Sequence, residues 1–148
     1  MPSSADPSFA TTLEVRDACL CLHVQRAARA LVRRFDDALR PAGLTSGQFS
    51  LLMSLNRPDP ADMAQVAALL AMDRTTLTAN LKPLQRRGLV DVAKADNDRR
   101  RRLLTLTPGG RTILAAAVPV WQRTHRTIEA LLGTSSPNRL RADLRALS

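Results

Sequence analysis

Apolar residues recur through most of this chain every three to four positions, the spacing of one face of an α-helix, so the pattern predicts a mainly helical protein. A first long helix is expected over 13–39, after a turn-rich, flexible segment over 1–12. Capping residues, proline and glycine separate the later helices, which are expected near 45–55, 63–71, 73–87, 108–132 and 137–147. Only 89–92 and 103–107 have the branched apolar composition of strands, which predicts one small hairpin among the helices.

The expected core is aliphatic. Aromatic residues make up only 3% of the chain, so leucine, alanine and valine must fill most of the interior. In the second and third predicted helices, the apolar positions expected to face inward are Phe49, Leu51, Leu52, Leu55, Val66, Leu69 and Leu70. The first and last helices carry more apolar surface than a small domain can cover, which indicates contact with another subunit.

The predicted helix over 73–87 has an exposed face without acidic residues. Asp73 is placed to cap its start and Gly88 to end it, while Leu77, Leu81 and Leu84 form its buried stripe. The opposite side is small, hydroxylated and basic, so its side chains can hydrogen-bond the base edges and phosphates of nucleic acid. The candidate contact residues are Arg74, Thr75, Thr76, Thr78, Lys82 and Arg86. Pro83 lacks the N–H that a helix needs here and is expected to kink the axis.

Four consecutive arginines lie in the predicted hairpin. Residues 96–98 have turn composition, and the arginines at 99–102 follow them, so the connection is expected to project a compact positive charge. Such a charge suits DNA phosphates or a narrow minor groove beside a reading helix. An isolated arginine run is as often a solvated face, but next to an acid-free helix it favours DNA. The candidate residues here are Asp98, Arg99, Arg100 and Arg101.

Charge and composition agree with a polyanionic partner. The chain has 22 Lys and Arg against 13 Asp and Glu, a formal net charge of +9, which favours nucleic acid over an acidic membrane surface. No apolar run approaches the roughly 20 residues that span a bilayer, and no signal peptide is recognised, so a cytoplasmic protein without a membrane partner is expected. The two cysteines do not form a disulfide framework, which agrees with a reducing compartment.

Four segments of the chain together form a familiar order: GLTSGQFSLL at 43–52, DMAQVAALLAMDRTTLTANLKPLQRRGLV at 62–90, DRR at 98–100 and LTPGG at 106–110. This order resembles the MarR family of bacterial winged helix-turn-helix transcription regulators, over roughly residues 13–132. The most specific parts are the RGLV helix exit and a wing pattern formed by Asp98, Arg100, Leu106, Thr107 and Gly110. The resemblance implies that Asp98 braces the wing and that Arg100 enters the minor groove.

The expected fold class is mainly α with a small β-wing, a winged helix-turn-helix whose terminal helices form an intertwined dimer. Residues 41–107 are expected to form the DNA-binding domain, and 13–40 with 108–148 the helical dimerisation region. We expect a homodimer that binds double-stranded DNA at a pseudo-palindromic operator and represses transcription until an effector releases it. The resemblance implies a small aromatic or phenolic effector, whose negative charge Arg26, Arg29 or Arg33 can meet.

Enzymatic chemistry finds little support in the sequence. No phosphate loop, catalytic triad, carboxylate pair, cofactor motif or metal-ligand spacing is recognised, and no cofactor or metal is expected. Cys19 and Cys21 lie two residues apart, about 200° around a continuous helix, so they are not expected to pair within it. They are interpreted as small apolar residues of a dimer interface, with a redox switch as the alternative. Two rival functions remain: a basic protein that coats nucleic acid without sequence preference, and a thiol-dependent redox protein using Cys21.

Overall fold

A computed structural model describes residues 6–148, and residues 1–5 of the predicted flexible segment lie outside this range. Over the described residues the chain forms seven α-helices and one three-stranded antiparallel sheet. The helices are α1 (Phe9–Ala18), α2 (Leu20–Leu39), α3 (Ser46–Ser54), α4 (Met63–Leu69), α5 (Arg74–Arg86), α6 (Pro108–Ala130) and α7 (Pro137–Ala146). The strands are β1 (Ala61–Asp62), β2 (Val90–Ala95) and β3 (Asp98–Leu106). The predicted fold class, mainly helical with a small wing, is confirmed.

The helix predicted over 13–39 is in fact two helices. α1 begins at Phe9, inside the segment expected to be flexible, because the Ser8 hydroxyl caps it by accepting the Thr11 N–H at 3.2 Å. The chain is then extended at Cys19, with φ −68° and ψ 110°, and α2 begins at the next residue. The thiol of Cys19 accepts the Leu22 N–H at 3.5 Å, so a cysteine takes the capping position that Ser, Thr, Asp or Asn usually fills.

The helix-turn-helix consists of α4 and α5. Asp62 caps α4 in a reciprocal capping box with Gln65, as Thr45 caps α3 with Gln48. The turn between α4 and α5 contains Ala71 at φ 50°, a left-handed conformation that glycine usually supplies. This conformation lets the Met72 N–H donate to the Ala67 carbonyl at 2.9 Å, which closes the end of α4.

The core is formed by aliphatic side chains between the end of α2, α3, α5, the sheet and the first half of α6. Leu39, Leu52, Leu77, Leu81, Leu84 and Leu104 are the largest fully buried side chains. Among the described residues, no polar or charged side chain is buried. The inward positions predicted for α3 are confirmed, whereas the predicted burial of Leu69 is wrong: its side chain is 70% exposed, because it lies at the rim of an open cavity rather than in the core.

The sheet has the strand order β1–β3–β2, so the short strand before α4 pairs with the returning strand of the wing. The turn at the tip comprises only residues 96–97, since Ala95 is already opposite Asp98. Lys94 is opposite Arg102, so residues 99–101 form a bulge on β3. The prediction that the arginines occupy the connection is therefore wrong: they lie within β3, and the strand begins five residues earlier than predicted.

One tight junction connects α5, β2 and α6. Gly88 ends α5 at φ 70°, as predicted, and the Leu89 N–H donates to the Leu84 carbonyl at 2.9 Å. The Thr107 hydroxyl donates to the Gly88 carbonyl at 2.6 Å and accepts the Gly110 N–H at 3.0 Å, so it caps α6 while it holds the end of α5. Helix α5 continues through Pro83 to Arg86, and α6 continues through Pro119 to Ala130.

Gly110 is required at this junction by space rather than by conformation. A Cβ at this position would overlap the Leu89 carbonyl oxygen and lie 3.1 Å from the Leu89 carbonyl carbon. A Cβ at Gly109 would meet nothing closer than 3.6 Å, which is ordinary van der Waals contact. The two neighbouring glycines therefore form a matched pair for mutation.

We predict that Gly110→Ala destabilises the fold by about 1–3 kcal/mol, because two backbone segments must separate to admit the methyl group. Gly109→Ala in the same helix should be neutral or slightly stabilising, since alanine favours the helix. Thermal unfolding of both variants followed by circular dichroism measures the difference. Equal midpoints for Gly110→Ala and Gly109→Ala would contradict the close approach.

Candidate nucleic-acid interface

Helix α5 is held in the winged module by its cap and its buried stripe. The Asp73 carboxylate accepts the Thr76 N–H at 2.7 Å, and Leu77, Leu81 and Leu84 are 0%, 1% and 0% exposed. The predicted cap and stripe are thereby confirmed. The hydrogen bonds from the Thr76 backbone and hydroxyl lower the pKa of the Asp73 carboxyl, so it is charged at neutral pH and favourably placed at the positive end of the helix dipole.

The opposite face of α5 is exposed, and all six candidate residues predicted on this helix lie in exposed positions. Their hydroxyl groups differ in availability. The Thr76 hydroxyl donates to Asp73 at 2.8 Å, and the Thr78 hydroxyl donates to the Arg74 carbonyl at 2.8 Å. Thr75 has no such bond within residues 6–148, and it lines a shallow concave surface together with Arg74, Thr78, Ala79 and Lys82. Thr75 is therefore the hydroxyl that is free to both donate and accept.

A groove separates α5 from the wing and has basic residues on both sides. It is lined on the helix side by Arg74, Thr78 and Gln85, and on the wing side by Arg100 and Arg102. Gln85 is not among the residues predicted from the sequence. Its position, seven residues after Thr78 and eleven after Arg74, places it on the same side of the helix and is the signal that identifies it.

The four wing arginines have different surroundings. Asp98 accepts the Arg100 N–H at 2.9 Å, so the aspartate braces the backbone of the bulge. Arg101 pairs with Asp62, with 2.9 Å between Nε and Oδ2, and Arg102 donates to the Arg99 carbonyl at 2.6 Å. No side-chain partner of Arg99 or Arg100 is found over residues 6–148, and both are exposed.

The predicted effector residues and the cavity at the helical junction lie apart. Arg26, Arg29 and Arg33 are exposed together on one side of α2, next to Ala27 and Ala30. The cavity lies between α3, α4 and α6, and its lining is apolar apart from serine and glutamine side chains. It is lined by Phe49, Ser50, Met53, Ser54, Leu69, Leu70, Val118, Trp121 and Gln122. The structure thus contains a pocket near the expected place, but none of the three arginines lines it.

The cysteines do not lie on one continuous helix. Cys19 is half-buried in the extended break between α1 and α2, and Cys21 is exposed in the first turn of α2. Because Cys19 is extended rather than helical, the separation of about 200° expected for the two side chains on an unbroken helix does not apply. His23 lies close by, with its Nδ1 2.8 Å from the Cys19 carbonyl oxygen, while His125 stacks on Trp121. Over the described residues no group of His, Cys, Asp or Glu side chains has the arrangement of a metal site.

No helix within residues 6–148 is both long enough and apolar enough to cross a membrane.

A short helix, a capped second helix with a basic exposed face and a β-wing together define a winged helix-turn-helix protein. Comparison with known proteins specifies the family. The chain matches the MarR family model over residues 42–101. A crystal structure of the transcriptional regulator MosR from M. tuberculosis in complex with DNA is 39% identical, covers 87% of this chain and 92% of that one, and has a TM-score of 0.80. The chain belongs to the MarR family of transcription regulators.

Two further relatives are also regulators of transcription. The transcriptional repressor CouR, solved bound to a 23-mer DNA duplex, is 29% identical, covers 90% of this chain and 94% of its own, and has a TM-score of 0.78. The transcriptional activatory protein BadR of Rhodopseudomonas palustris is 32% identical over 97 residues, which are 64% of this chain. The chain spans about half the length of the curated relatives it matches, 55% of BadR and 48% of the repressor NicR of Pseudomonas putida. These relatives are regulators of transcription rather than enzymes.

We predict that Arg100→Ala weakens DNA binding on all sequences, because a phosphate contact is lost, and makes the log-log salt dependence shallower by about 0.9. Thr75→Ala should instead relax discrimination at particular base pairs by roughly 1–3 kcal/mol without changing that slope. Arg139→Ala, an exposed arginine of α7, is the control. Fluorescence anisotropy at several salt concentrations, on selected and random duplexes, gives both quantities. Equal losses on both duplexes for Thr75→Ala would favour the non-specific coating protein.

Proposed function

We propose that this protein is a homodimeric, sequence-specific DNA-binding repressor that an effector releases from a pseudo-palindromic operator. The observation that carries the proposal is an exposed, acid-free face of α5 that lies across one groove from Arg100 of the wing. Arg99 is exposed on the same bulge, and neither arginine has a side-chain partner among residues 6–148. Helix α5 fits the major groove, where Thr75, Thr78 and Lys82 reach base edges. The wing arginines meet the phosphates or the minor groove beside it.

A protein that only coats nucleic acid is less well supported. Such a protein binds through cations along an extended face. It does not require a capped helix with small hydroxylated side chains at the centre of that face. Here the small residues Thr75 and Ala79 allow the backbone of α5 to approach a groove floor closely. Direct readout of bases requires this approach, whereas binding of phosphates alone does not.

The second copy of the chain is proposed to cover the terminal helices. Helices α1 and α7 have no buried residue, and α2 has only Leu39, although all three carry large apolar side chains. The exposed apolar residues outside the winged module are Phe9, Val15, Leu20, Val24, Leu31, Val32, Leu131, Leu140, Leu144 and Leu147. Large apolar side chains exposed in this number mark an interface, and two half-sites one helical turn apart require two reading helices. Residues 13–40 and 108–148 then form the dimerisation region and 41–107 the DNA-binding domain.

We predict that Leu144→Glu, or deletion of residues 134–148, lowers dimer affinity and operator affinity together, since the apolar side chains that face the second copy are lost or charged. Arg145→Glu places the same charge on the neighbouring, exposed position of α7 and should have a smaller effect on dimer affinity. Sedimentation velocity measures association, and anisotropy measures binding. A stable monomer that binds a single half-site at full strength would contradict the dimer.

Release is proposed to depend on a small aromatic or phenolic acid that binds near the helical junction. The apolar cavity between α3, α4 and α6 supports this, because Phe49 and Trp121 stack in its wall with ring centroids 6.1 Å apart. A ligand there contacts both the dimer helix α6 and the winged module, so it can favour one arrangement of the two. Because none of Arg26, Arg29 and Arg33 lines this cavity within one chain, the charge of the acid is expected to meet these arginines only if the second copy brings them to it.

Oxidation of Cys19 or Cys21 is the alternative trigger, and the break in the helix at Cys19 is the observation that favours it. The extended backbone at Cys19 frees its side chain from the fixed angle of a helix, and Cys21 is exposed to oxidants. The product is a sulfenic acid or a disulfide between subunits. Either product changes the path between α1 and α2 at the edge of the proposed dimer.

We predict that salicylate-like acids at millimolar concentration weaken operator binding and that the Cys19→Ser, Cys21→Ser double variant responds in the same way. Serine keeps a capping oxygen at position 19 but removes the thiol chemistry. Anisotropy titrations with the acid and with peroxide separate the triggers. If peroxide releases the parent but not the double variant, and the acids have no effect, the trigger is oxidation rather than a ligand.

A further inference from the structure

We propose that Arg101 of the wing is a positioning residue: its ion pair with Asp62 fixes the wing against the start of α4 and leaves Arg99 and Arg100 to bind DNA. This inference rests on the proposed function and refines it, because the arginine run is divided into two residues that hold the wing and two that contact the nucleic acid. Arg102, whose guanidinium bonds the wing backbone, is the second residue that holds the wing.

The carboxylate of Asp62 joins two parts of the winged module. Its Oδ1 accepts the Ala64 N–H at 2.8 Å and so caps α4, the first helix of the helix-turn-helix. Its Oδ2 lies 2.9 Å from Nε of Arg101 on β3. The side chain of Asp62 is only 20% exposed, whereas that of Arg101 is 46% exposed. The carboxylate is thus fixed by the fold, and the arginine is directed towards it.

The backbone places this ion pair at the base of the wing. Ala61 is opposite Leu104 and Asp62 is opposite Leu103, so the two-residue strand β1 ends where the bulge of β3 approaches. Beyond this point β3 has no pairing to β1, and Arg101 provides the next connection between the wing and α4. A two-stranded ribbon without such a connection is free to bend about its base.

The bulge itself is held from two further directions. Asp98 accepts the Arg100 N–H at 2.9 Å, and Arg102 donates to the Arg99 carbonyl at 2.6 Å. These bonds use the side chains of Asp98 and Arg102 but only the backbone of Arg99 and Arg100. The guanidinium groups of Arg99 and Arg100 therefore remain available, while those of Arg101 and Arg102 are engaged.

Electrostatics favour the ion pair over a phosphate contact for Arg101. The hydrogen bond from Arg101 is the main cause that lowers the pKa of the Asp62 carboxyl, and the Ala64 N–H adds to it. Asp62 is consequently charged at neutral pH, and a phosphate that recruited Arg101 would leave this carboxylate without its partner beside a polyanion. Arg100 has no ion pair among residues 6–148, so it can bind a phosphate without breaking an existing contact.

The positioning role and simple charge repulsion predict opposite changes in DNA affinity when Asp62 is neutralised. Removing the negative charge of Asp62 would, by repulsion alone, strengthen binding to DNA. If Asp62 positions the wing, the same change must weaken binding. Asparagine at this position keeps the ability to cap α4, so Asp62→Asn removes the ion pair with little change to the helix.

The test measures the affinity and the salt dependence of binding to the duplex that the wild-type chain selects from a random pool. Four variants are compared: Arg101→Ala, Asp62→Asn, the double variant of these two, and Arg100→Ala. We expect Arg101→Ala and Asp62→Asn each to weaken binding by about 2- to 5-fold, the range of a partly exposed ion pair, with no change in the salt slope. The double variant should bind DNA no more weakly than either single variant, because the two residues act through one contact. Arg100→Ala should reduce the slope by about 0.9.

Two results would overturn the proposal and leave the proposed function standing. The first is a slope for Arg101→Ala that falls as much as that for Arg100→Ala, which would make Arg101 a phosphate contact. The second is tighter binding by Asp62→Asn. If instead Arg100→Ala and the Thr75→Ala variant described above both bind as the wild type does, the proposed interface is wrong, and the positioning role is wrong with it. Unchanged thermal unfolding of each variant confirms that the comparison is between folded proteins.

Discussion

The close contact between Gly110 and the Leu89 carbonyl determines how the winged module joins the helix that follows it. Because Gly110 has no side chain, α6 begins against the backbone where α5 has ended and β2 starts. Thr107 adds two bonds at this point, from its hydroxyl to the Gly88 carbonyl at 2.6 Å and from its N–H to the Leu89 carbonyl at 3.1 Å. The end of α5, the proposed reading helix, and the start of α6, a proposed dimer helix, are thus one hydrogen-bonded unit.

This unit gives the effector proposal a physical basis. A ligand can release DNA only if it binds the competent and incompetent arrangements unequally. The apolar cavity has Val118 and Trp121 of α6 on one side and α3 with α4 on the other, so the proposed ligand would contact both sides and act on the angle at which α6 leaves the module. Since α6 is bonded directly to the exit of α5, a change in that angle would act directly on α5, the proposed reading helix.

The sequence was most informative where local chemistry decides the structure. The limits of α5 follow from Asp73, Gly88 and the leucine stripe, because caps and periodicity act over a few residues. The predicted helix boundaries were wrong at Cys19, where a thiol replaces the usual capping oxygen, and near Ala71, where the left-handed residue after α4 is not glycine. The sequence also did not predict the pairing of Arg101 with Asp62, since these residues are 39 positions apart and only the β1–β3 pairing brings them together. Composition predicted that the arginines lie in the wing, but only the register of β2 and β3 shows that Arg99, Arg100 and Arg101 form a bulge.

The net charge of +9 does not by itself show which basic side chains are available to bind DNA, because several of them form ion pairs within the chain. Arg101 is paired with Asp62, Arg141 with Glu129 at 2.7 Å, and Arg40 with Asp37 at 2.9 Å, so these arginines are engaged within the chain although the excess of positive charge is unchanged. Near α5, Arg74 and Arg100 lie on opposite sides of one groove. A coating protein gains from every free cation, whereas a reading protein gains from a few cations held at fixed distances from a helix. The use of Asp62 and Asp98 to hold the wing favours the second arrangement, because acidic residues beside DNA reduce affinity unless they improve position.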